Sequence, residues 1–559
     1  MIAEDLRKLI GAAVEAAGLP VPQTVGLEHP ADLSHGDYAT NVALVCAKAA
    51  GRTPRELAEE FATHLRVHKP SEVASVEVAG PGFINFTLSA DYLANTIGQI
   101  SKMGAQWGRN ETLKDKRIIV EYAQPNPFKP FHIGHLMSTT LGESLSRLIE
   151  FSGATIFRAN YQGDVGPHVA KCLWGLEKMG GDPHDVTVLG EAYVCGNTAY
   201  EEDPQAKEEI DRLNKRIYEK DPVLQEVYNA GRGASLARFE ELYKLLNTKF
   251  DAYFFESETG PEGVAMVRDG LARGVFEESE GAVVYRGEKH GLHTRVFITA
   301  KGIQTYEAKE LGLVKMKHEQ FPFDLNLTTV AVEQDGYFKV VEAALADLWP
   351  EMEGKYTHVP HGMMQLTSGK MSSRKGNVIT GESLIEDMRA QAFEKMGGRD
   401  LSDRHAVADA VSVAGIKYAV LKQSTGKNII FDPEKSLSLE GDSGPYVQYA
   451  HTRALSVLEK AKAEGIPSDA SALPSSITPL EKLLYRFPEV VLRATEEREP
   501  HYVASYVTEL SAAFNSWYAN GKILDGTTAA PYKLALTQAV ATTLKNGLWL
   551  LGISAPERM

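Results

Sequence analysis

The chain has 559 residues, 43% of them hydrophobic and 24% charged, so it is several times longer than a typical domain and leaves little room for wholesale disorder. No apolar run approaches the length of a membrane span, and the amphipathic start MIAEDLRKLIGAAVEAAGL carries acids early, unlike a signal peptide; a cytoplasmic location is expected. A net charge of −15 argues against generic polyanion binding, so any RNA contact must be local, while the same negative field favours a cationic small substrate.

Residues 1–108 alternate helix-like patterns with one strand-like stretch, VASVEVAGPGFINFTLS, in which Gly80, Pro81 and Gly82 make a turn between apolar runs. This segment reads as a small α+β domain. A charged, turn-rich connector, KMGAQWGRNETLKDK, leads into a different pattern. RIIVEYA is a buried-strand signature; a Pro-rich turn, a helical stretch from His132 to Phe151 and a second strand, ATIFRANYQ, follow it. Strand, helix and strand in succession make a βαβ unit, which predicts a parallel sheet with its ligand at the strand carboxyl ends. The charged helical text between Pro204 and Leu246 reads as an insertion, residues 204–246, into this fold. Strand-like pieces return at TRVFITA and LNLTTVAV, and the fold is expected to close near Met388, giving a Rossmann-type catalytic domain over 116–400.

After Asp403 the apolar spacing of three and four predicts a helical bundle over 403–559, which the Pro- and Ser-rich GIPSDASALPSSITP interrupts without ending. The expected fold class is therefore multidomain α/β: a parallel-sheet domain with a helical insertion, an N-terminal α+β domain and a C-terminal all-α bundle. Cys46, Cys172 and Cys195 are odd in number and scattered, so all three are read as structural, with neither a disulfide framework nor a metal site.

The turn after the first parallel strand reads Pro125, Asn126, Pro127, Phe128, Lys129, Pro130, Phe131, His132, Ile133, Gly134, His135. Two imidazoles three apart at a helix start lie on one face, beside backbone N–H groups that already favour an anion. A triphosphate placed there takes donors from both rings, and Gly134 lets a flat base rest on the backbone. Capping is the plain alternative for such a pair. Far downstream, Gly369, Lys370, Met371, Ser372, Ser373, Arg374, Lys375, Gly376 and Asn377 put three cations in a glycine-bounded loop suited to closing over phosphates. A solvated surface loop is the plain alternative here.

Together the two motifs resemble the paired signatures of class I aminoacyl-tRNA synthetases, His-Ile-Gly-His and Lys-Met-Ser-Lys-Ser. The first is complete. In the second, Ser373 stands where the family usually has its second lysine, and Arg374 where it has serine. The candidate replacement cation is Lys129, since some arginyl enzymes with this loop variant carry a lysine there; Arg374 and Lys375 are its rivals. HGDYATNVAL and VAGPGFINF resemble the amino-terminal tRNA-elbow domain of arginyl synthetases, and GDSGPYVQYAHTRA and LGISAPERM their helical anticodon-binding domain. The resemblance thus spans nearly the whole chain.

It implies arginine activation by ATP, as its magnesium complex, and transfer to tRNA(Arg), by an enzyme expected to be a monomer with no tightly bound cofactor. Lys129, His132, His135 and Lys370 are the expected catalytic residues. ATP is assigned to His132, Gly134, His135, Met364, Lys370, Met371, Ser372 and Ser373, with His168 and His361 as further nucleotide-site candidates. Arginine ends in a planar fork of donors, so its pocket needs carboxylates and amides. Glu121, Asn126, Tyr306, Glu310 and Gln334 match the family's amino-acid site, although aspartate is common at the positions of Glu121 and Glu310 and serine at Ala123. For tRNA, Tyr446, Tyr449, Arg453 and Trp517, near Tyr518, mix aromatics with a cation as base stacking requires, with the helix core as the alternative for the aromatics. Cysteinyl and glutamyl synthetases fit less well, because a zinc-ligand set is lacking and the amino-terminal domain is extra. A silent RNA-binding paralogue would show eroded phosphate motifs, and only the second is altered.

Overall fold

The computed structural model describes residues 2–367, 380–397, 403–471 and 476–559. Its chain divides into two units, one of Met1–Trp107, Ala450–Pro488 and Glu509–Lys545, the other of Gly108–Tyr449, Glu489–Thr508 and Asn546–Met559.

The first unit opens with α1 (Ile2–Ala16), β1 (Tyr38–Thr40), α2 (Val42–Ala50), α3 (Pro54–His68), β2 (Val73–Ala79), β3 (Phe83–Leu88) and α4 (Ala90–Met103). Helix α3 starts where its sequence dictates. Thr53 and Glu56 form a capping box, and Pro54 occupies the first turn, where its missing N–H costs nothing. The Gly80–Gly82 turn joins β2 to β3 as an antiparallel hairpin with Ala79 opposite Phe83, and β1 adds to the other side of β3. Leu6, Ile10 and Val14 of α1 and Leu57, Phe61 and Leu65 of α3 bury against Val76, Ile84 and Phe86 of this sheet. The sequence had shown one strand-like stretch here; the three-residue β1 is too short to show a period.

In the second unit, β4 (Arg117–Glu121), α5 (Ile133–Phe151) and β5 (Thr155–Gln162) form the expected βαβ unit. Four helices follow, α6 (Pro167–Met179), α7 (Val186–Glu202), α8 (Pro204–Tyr218) and α9 (Pro222–Leu245), so the helical text near 204–246 is the second half of a longer helical run. The chain continues through β6 (Ala252–Phe255), α10 (Glu256–Ala272), β7 (Glu277–Ser279), β8 (Ala282–Tyr285), β9 (Arg295–Ile298), α11 (Tyr306–Gln320), β10 (Leu325–Ala331), α12 (Asp335–Leu348), β11 (Tyr356–His361) and β12 (Met364–Leu366). Beyond these lie α13 (Gly381–Lys395), α14 (Arg404–Leu421), β13 (Ile429–Phe431), α15 (Pro433–Ser436), α16 (Gly444–Ala463), α17 (Pro479–Leu484), α18 (Phe487–Glu496), α19 (His501–Asn520) and α20 (Ala530–Leu550).

Five strands form one parallel sheet in the order β11-β10-β4-β5-β6. The connection from β4 runs to β5 on one side and that from β10 to β11 on the other, so the strand order reverses between β4 and β10. Such a switch point opens a crevice at the strand carboxyl ends. Glu121 ends β4 at this place, and Gln334 lies just past the end of β10. TRVFITA departs from expectation: its strand β9 pairs with β8 in a separate antiparallel sheet. Among the described residues after Asp403 the one strand is β13, which pairs in parallel with β12. Among the described residues no helix is long and apolar enough to cross a membrane.

Helices α10 and α11 touch backbone to backbone because glycine stands at the crossing. A Cβ on Gly263 would lie 1.8 Å from the Ala308 carbonyl oxygen, and one on Gly312 would lie 2.2 Å from that of Thr259. This approach sets the height of α11 over the sheet. Gly263→Ala is therefore expected to cost roughly 1–3 kcal/mol through overpacking, read as a lower midpoint of thermal unfolding; an unchanged midpoint would show that the crossing yields freely.

Candidate active site

The turn after β4 is strained. Ala123, Gln124 and Phe128 have φ of 73°, 54° and 66°, the left-handed region that costs a non-glycine residue roughly 1 kcal/mol or more. Each strained residue has its N–H captured by a side chain from another element. Ala123 N donates to Ser138 Oγ at 3.1 Å, Gln124 N to Asn160 Oδ1 at 3.3 Å and Phe128 N to Ser235 Oγ at 3.0 Å. The loop is thereby held in one path, and it delivers Lys129 and His132 to the start of α5.

His132 is the N-cap of α5 and His135 its third residue, and the two cap each other. His135 N donates to His132 Nδ1 at 3.3 Å, and His132 N donates to His135 Nδ1 at 3.2 Å. The rings stack with centroids 3.4 Å apart. The capping and functional readings of the pair are thus one arrangement. Because both Nδ1 atoms accept, each neutral ring carries its proton on Nε2, and two Nε2–H donors are left for a ligand. The neutral form is favoured: loss of water, then the Lys129 charge, lowers His132 to about 4, and burial pushes His135 well below the usual imidazole range. A Cβ on Gly134 would lie 3.0 Å from His132 Cε1, so glycine here also makes room for the ring.

Lys129 brings a positive charge to this cluster. Its charge lowers His132, His135 and His168, the last to about 4 with burial as the main cause. Its Nζ lies 5.2 Å from the centre of the Tyr193 ring, and among the described residues no carboxylate forms an ion pair with it. His361 is buried close enough to influence both capping histidines, and its Nδ1 lies 2.9 Å from the Gly362 carbonyl. His168 Nε2 donates to the Gly163 carbonyl at 2.8 Å. Met364 packs with Ile133 and Met137 against the first turns of α5. Lys129, His132, Gly134, His135 and Met364 therefore come together around one helix N-terminus. Lys370, Met371, Ser372 and Ser373, with the rest of that loop, lie outside the described residues.

The candidate amino-acid residues stand at the switch point. Glu121 is buried and ion-paired with Lys317 of α11, and Gln124 Nε2 donates to its Oε1 at 2.7 Å. Glu310 is buried, with Tyr356 OH donating to its Oε1 at 2.6 Å; burial, then the Glu121 charge, raises its carboxyl to about 7. Asn126 Oδ1 accepts from Gly163 N at 3.1 Å. Tyr306 is 66% exposed, with Lys309 Nζ 5.0 Å from its ring centre. Gln334 is exposed in the short turn after β10. Lys317, Tyr356 and the Glu256–Lys309 ion pair of 2.6 Å were missed from the sequence. The one available signal was spacing, since Lys317 follows Glu310 by two helical turns and shares its face.

Tyr446 and Tyr449 are half-buried in the second unit. In the first unit, Arg453 Nη1 donates to Asn515 Oδ1 at 2.6 Å with its guanidinium 4.9 Å from the Tyr518 ring centre, and Trp517 packs on Ala461, Ile523 and Leu534. Cys46 and Cys172 are buried, and the Cys172 thiol donates to the Leu189 carbonyl.

Three family models match the chain: "tRNA synthetases class I (R), catalytic domain" over 96–433, "DALR anticodon binding domain" over 447–559 and "Arginyl tRNA synthetase N terminal domain" over 4–88. The chain is 31% identical to the arginine–tRNA ligase of Streptococcus agalactiae, across 100% of this chain and 99% of that one. It is 30% identical to that of Treponema denticola, across 99% and 98%. The solved arginyl-tRNA synthetase of Thermus thermophilus superposes with a TM-score of 0.83 at 26% identity, covering 100% of both chains. That of Plasmodium falciparum, at 20% identity, has the same fold, with a TM-score of 0.82 over 100% of this chain and 99% of that one.

The reciprocal cap makes a spectroscopic prediction. A ring with a folded pKa below its unfolded value contributes stability that is present above about 6.5 and lost as pH falls toward about 4. Nitrogen shifts of labelled histidine should show His132 and His135 as Nε2–H tautomers, still neutral at pH 5. A ring that titrates near 6.5, or carries its proton on Nδ1, would contradict the cap.

Proposed function

We infer the division of labour in this site from one premise: the chain belongs to the class I arginyl-tRNA synthetases and is an ATP-dependent ligase that charges tRNA(Arg) with arginine. The observation that carries the assignment is the mutual histidine cap with an uncompensated lysine beside it.

In the first step a carboxylate oxygen of arginine attacks the α-phosphorus of ATP, taken as its magnesium complex, and pyrophosphate leaves. The Nε2–H groups of His132 and His135 hold phosphate oxygens at the N-terminus of α5, where backbone N–H groups and the helix dipole add to the attraction. Lys129 balances the charge gathering on the leaving pyrophosphate, the role a second lysine usually plays in the late loop. Such chemistry needs positioning and charge neutralisation rather than a protein nucleophile. Gly134 and Met364 border the base. In the second step the 2′-hydroxyl of the terminal adenosine attacks the adenylate carbonyl, and AMP departs.

The guanidinium points to Glu310, with Asn126, Tyr306 and Gln334 around the rest of the substrate and Glu121 behind. Tyr306, an exposed ring, closes over the bound arginine. Tyr446 and Tyr449 offer half-buried rings to RNA bases. Arg453 and Trp517 contact tRNA from the first unit, where Asn515 also holds Arg453 and Trp517 packs on Ile523 and Leu534.

Pyrophosphate exchange should proceed with arginine and with no other amino acid, and depend on added tRNA. Lys129→Ala should lower its kcat by about 10²–10³-fold, the usual scale for losing one transition-state charge donor, with a smaller change in KM for ATP. A near-normal rate would move the role to Lys370, Arg374 or Lys375 of the late loop.

A further inference from the structure

Around the amino-acid pocket the buried carboxylates come with their own cations, save one. Glu256 pairs with Lys309 at 2.6 Å, Glu307 with Arg295 at 3.2 Å and Glu121 with Lys317, whose ammonium is wholly buried. Among the described residues no cation forms an ion pair with Glu310, and Tyr356 OH is its hydrogen-bond partner. The groups facing Glu310 are Glu121 from β4, Lys317 and Lys309 from its own helix, Glu256 from α10, Tyr356 from β11, Tyr337 from α12 and Tyr161 from β5. The phenols are held neutral by burial, and the Glu121–Lys317 and Glu256–Lys309 charges cancel in pairs. The charge left over is that of Glu310 itself.

A lone carboxylate, 5% exposed in such a place, is costly to ionise. Two species can relieve the cost, a proton or an external cation of the right shape. We propose that a proton and the substrate guanidinium compete for the Glu310 carboxyl, so that arginine enters in exchange for one proton, while Lys317 keeps Glu121 out of the exchange as its permanent counter-ion. The proton leaves to solvent and the guanidinium takes its place on the same oxygens, so the pocket has the same net charge before and after. This rests on the assignment of the guanidinium to Glu310 made above. It gives Lys317 a positioning role: without it the pocket would hold two unpaired carboxylates and would take up a second proton when empty. Burial and the Glu121 charge raise the Glu310 carboxyl to about 7, which puts the exchange within the physiological range.

The sign follows from linkage. A bound guanidinium favours the ionised carboxyl, so arginine affinity rises with pH up to the carboxyl's own titration and is level above it. Calorimetry of L-arginine binding to the full chain, in buffers of different ionisation enthalpy at pH 6, 7 and 8, reads the exchange directly. Release is expected to be about half a proton per arginine near pH 7, approaching one at pH 6 and vanishing by pH 8, with the dissociation constant rising toward tenfold per pH unit below 7. Glu310→Gln should bind weakly, without proton release and without pH dependence. Lys317→Met, which leaves two facing carboxylates unpaired, should extend proton release to pH 8, whereas Lys317→Arg, which keeps the charge should the methionine variant not fold, should reproduce the wild-type profile. Wild-type binding with pH-independent affinity and no proton release would overturn the exchange and leave the pocket assignment standing. Unchanged arginine affinity in Glu310→Gln would overturn that assignment and the exchange with it.

Discussion

His132 and His135 each give a backbone N–H to the other's Nδ1, and the proposed nucleotide site depends on this exchange. It starts α5, satisfies N–H groups that a helix leaves open, and fixes both rings as Nε2–H donors. A donor whose tautomer is fixed by the backbone need not reorganise when phosphate arrives. Lowered imidazole pKa values keep both rings neutral beside the charge of Lys129, which comes from the strained turn one step earlier in the chain.

The same helix is anchored by buried charges on its other side. Glu143 accepts from Arg147 Nε at 2.6 Å, Tyr122 OH at 2.7 Å and Thr248 Oγ1 at 2.7 Å, with Arg158 3.4 Å away. Arg147 goes on to the Asn247 and Trp549 carbonyls, Ser144 to that of Leu550, and Lys417 to those of Leu246 and Gly552. Burial lowers Lys417 to about 7, yet its hydrogen bonds are all to carbonyls, as an ammonium requires. Buried charges of this kind contribute little net stability when complete and cost several kcal/mol when one partner is removed, so they fix position more than they add strength. The histidine cap therefore sits on a helix whose depth and rotation are already determined, by residues as far along the chain as Gly552.

The βαβ unit was legible because β4, α5 and β5 carry apolar periods long enough to register, and both histidines could be placed at a helix start from the strand before them. Strand β9 was visible but misplaced, since three apolar residues, Val296, Phe297 and Ile298, read alike in an antiparallel corner and a parallel sheet. Strand β11 escaped notice because it is an edge strand containing Pro360 and His358, and His358 holds ion pairs with Asp335 and Glu342 rather than apolar packing. Lys317, in KMKHEQ, looks like a surface lysine. Its burial is decided by the depth of α11, which the glycine crossing with α10 sets, and no local pattern encodes that.

Glutamate at 121 and 310, where the family commonly has aspartate, can be understood from the same contacts. The longer Glu121 meets Lys317 and Gln124 inside the protein, and the longer Glu310 meets Tyr356 at the far strand. Each added methylene is taken up by an internal partner instead of projecting into the crevice. One carboxylate is thereby neutralised for good while the other keeps only a hydroxyl, which cannot cancel its charge. On the proposed assignment, a pocket lined by these two acids offers one unpaired charge, as a monocation requires. A second free carboxylate would have to be protonated in the empty site and would weaken the preference for a guanidinium over a neutral side chain of similar length.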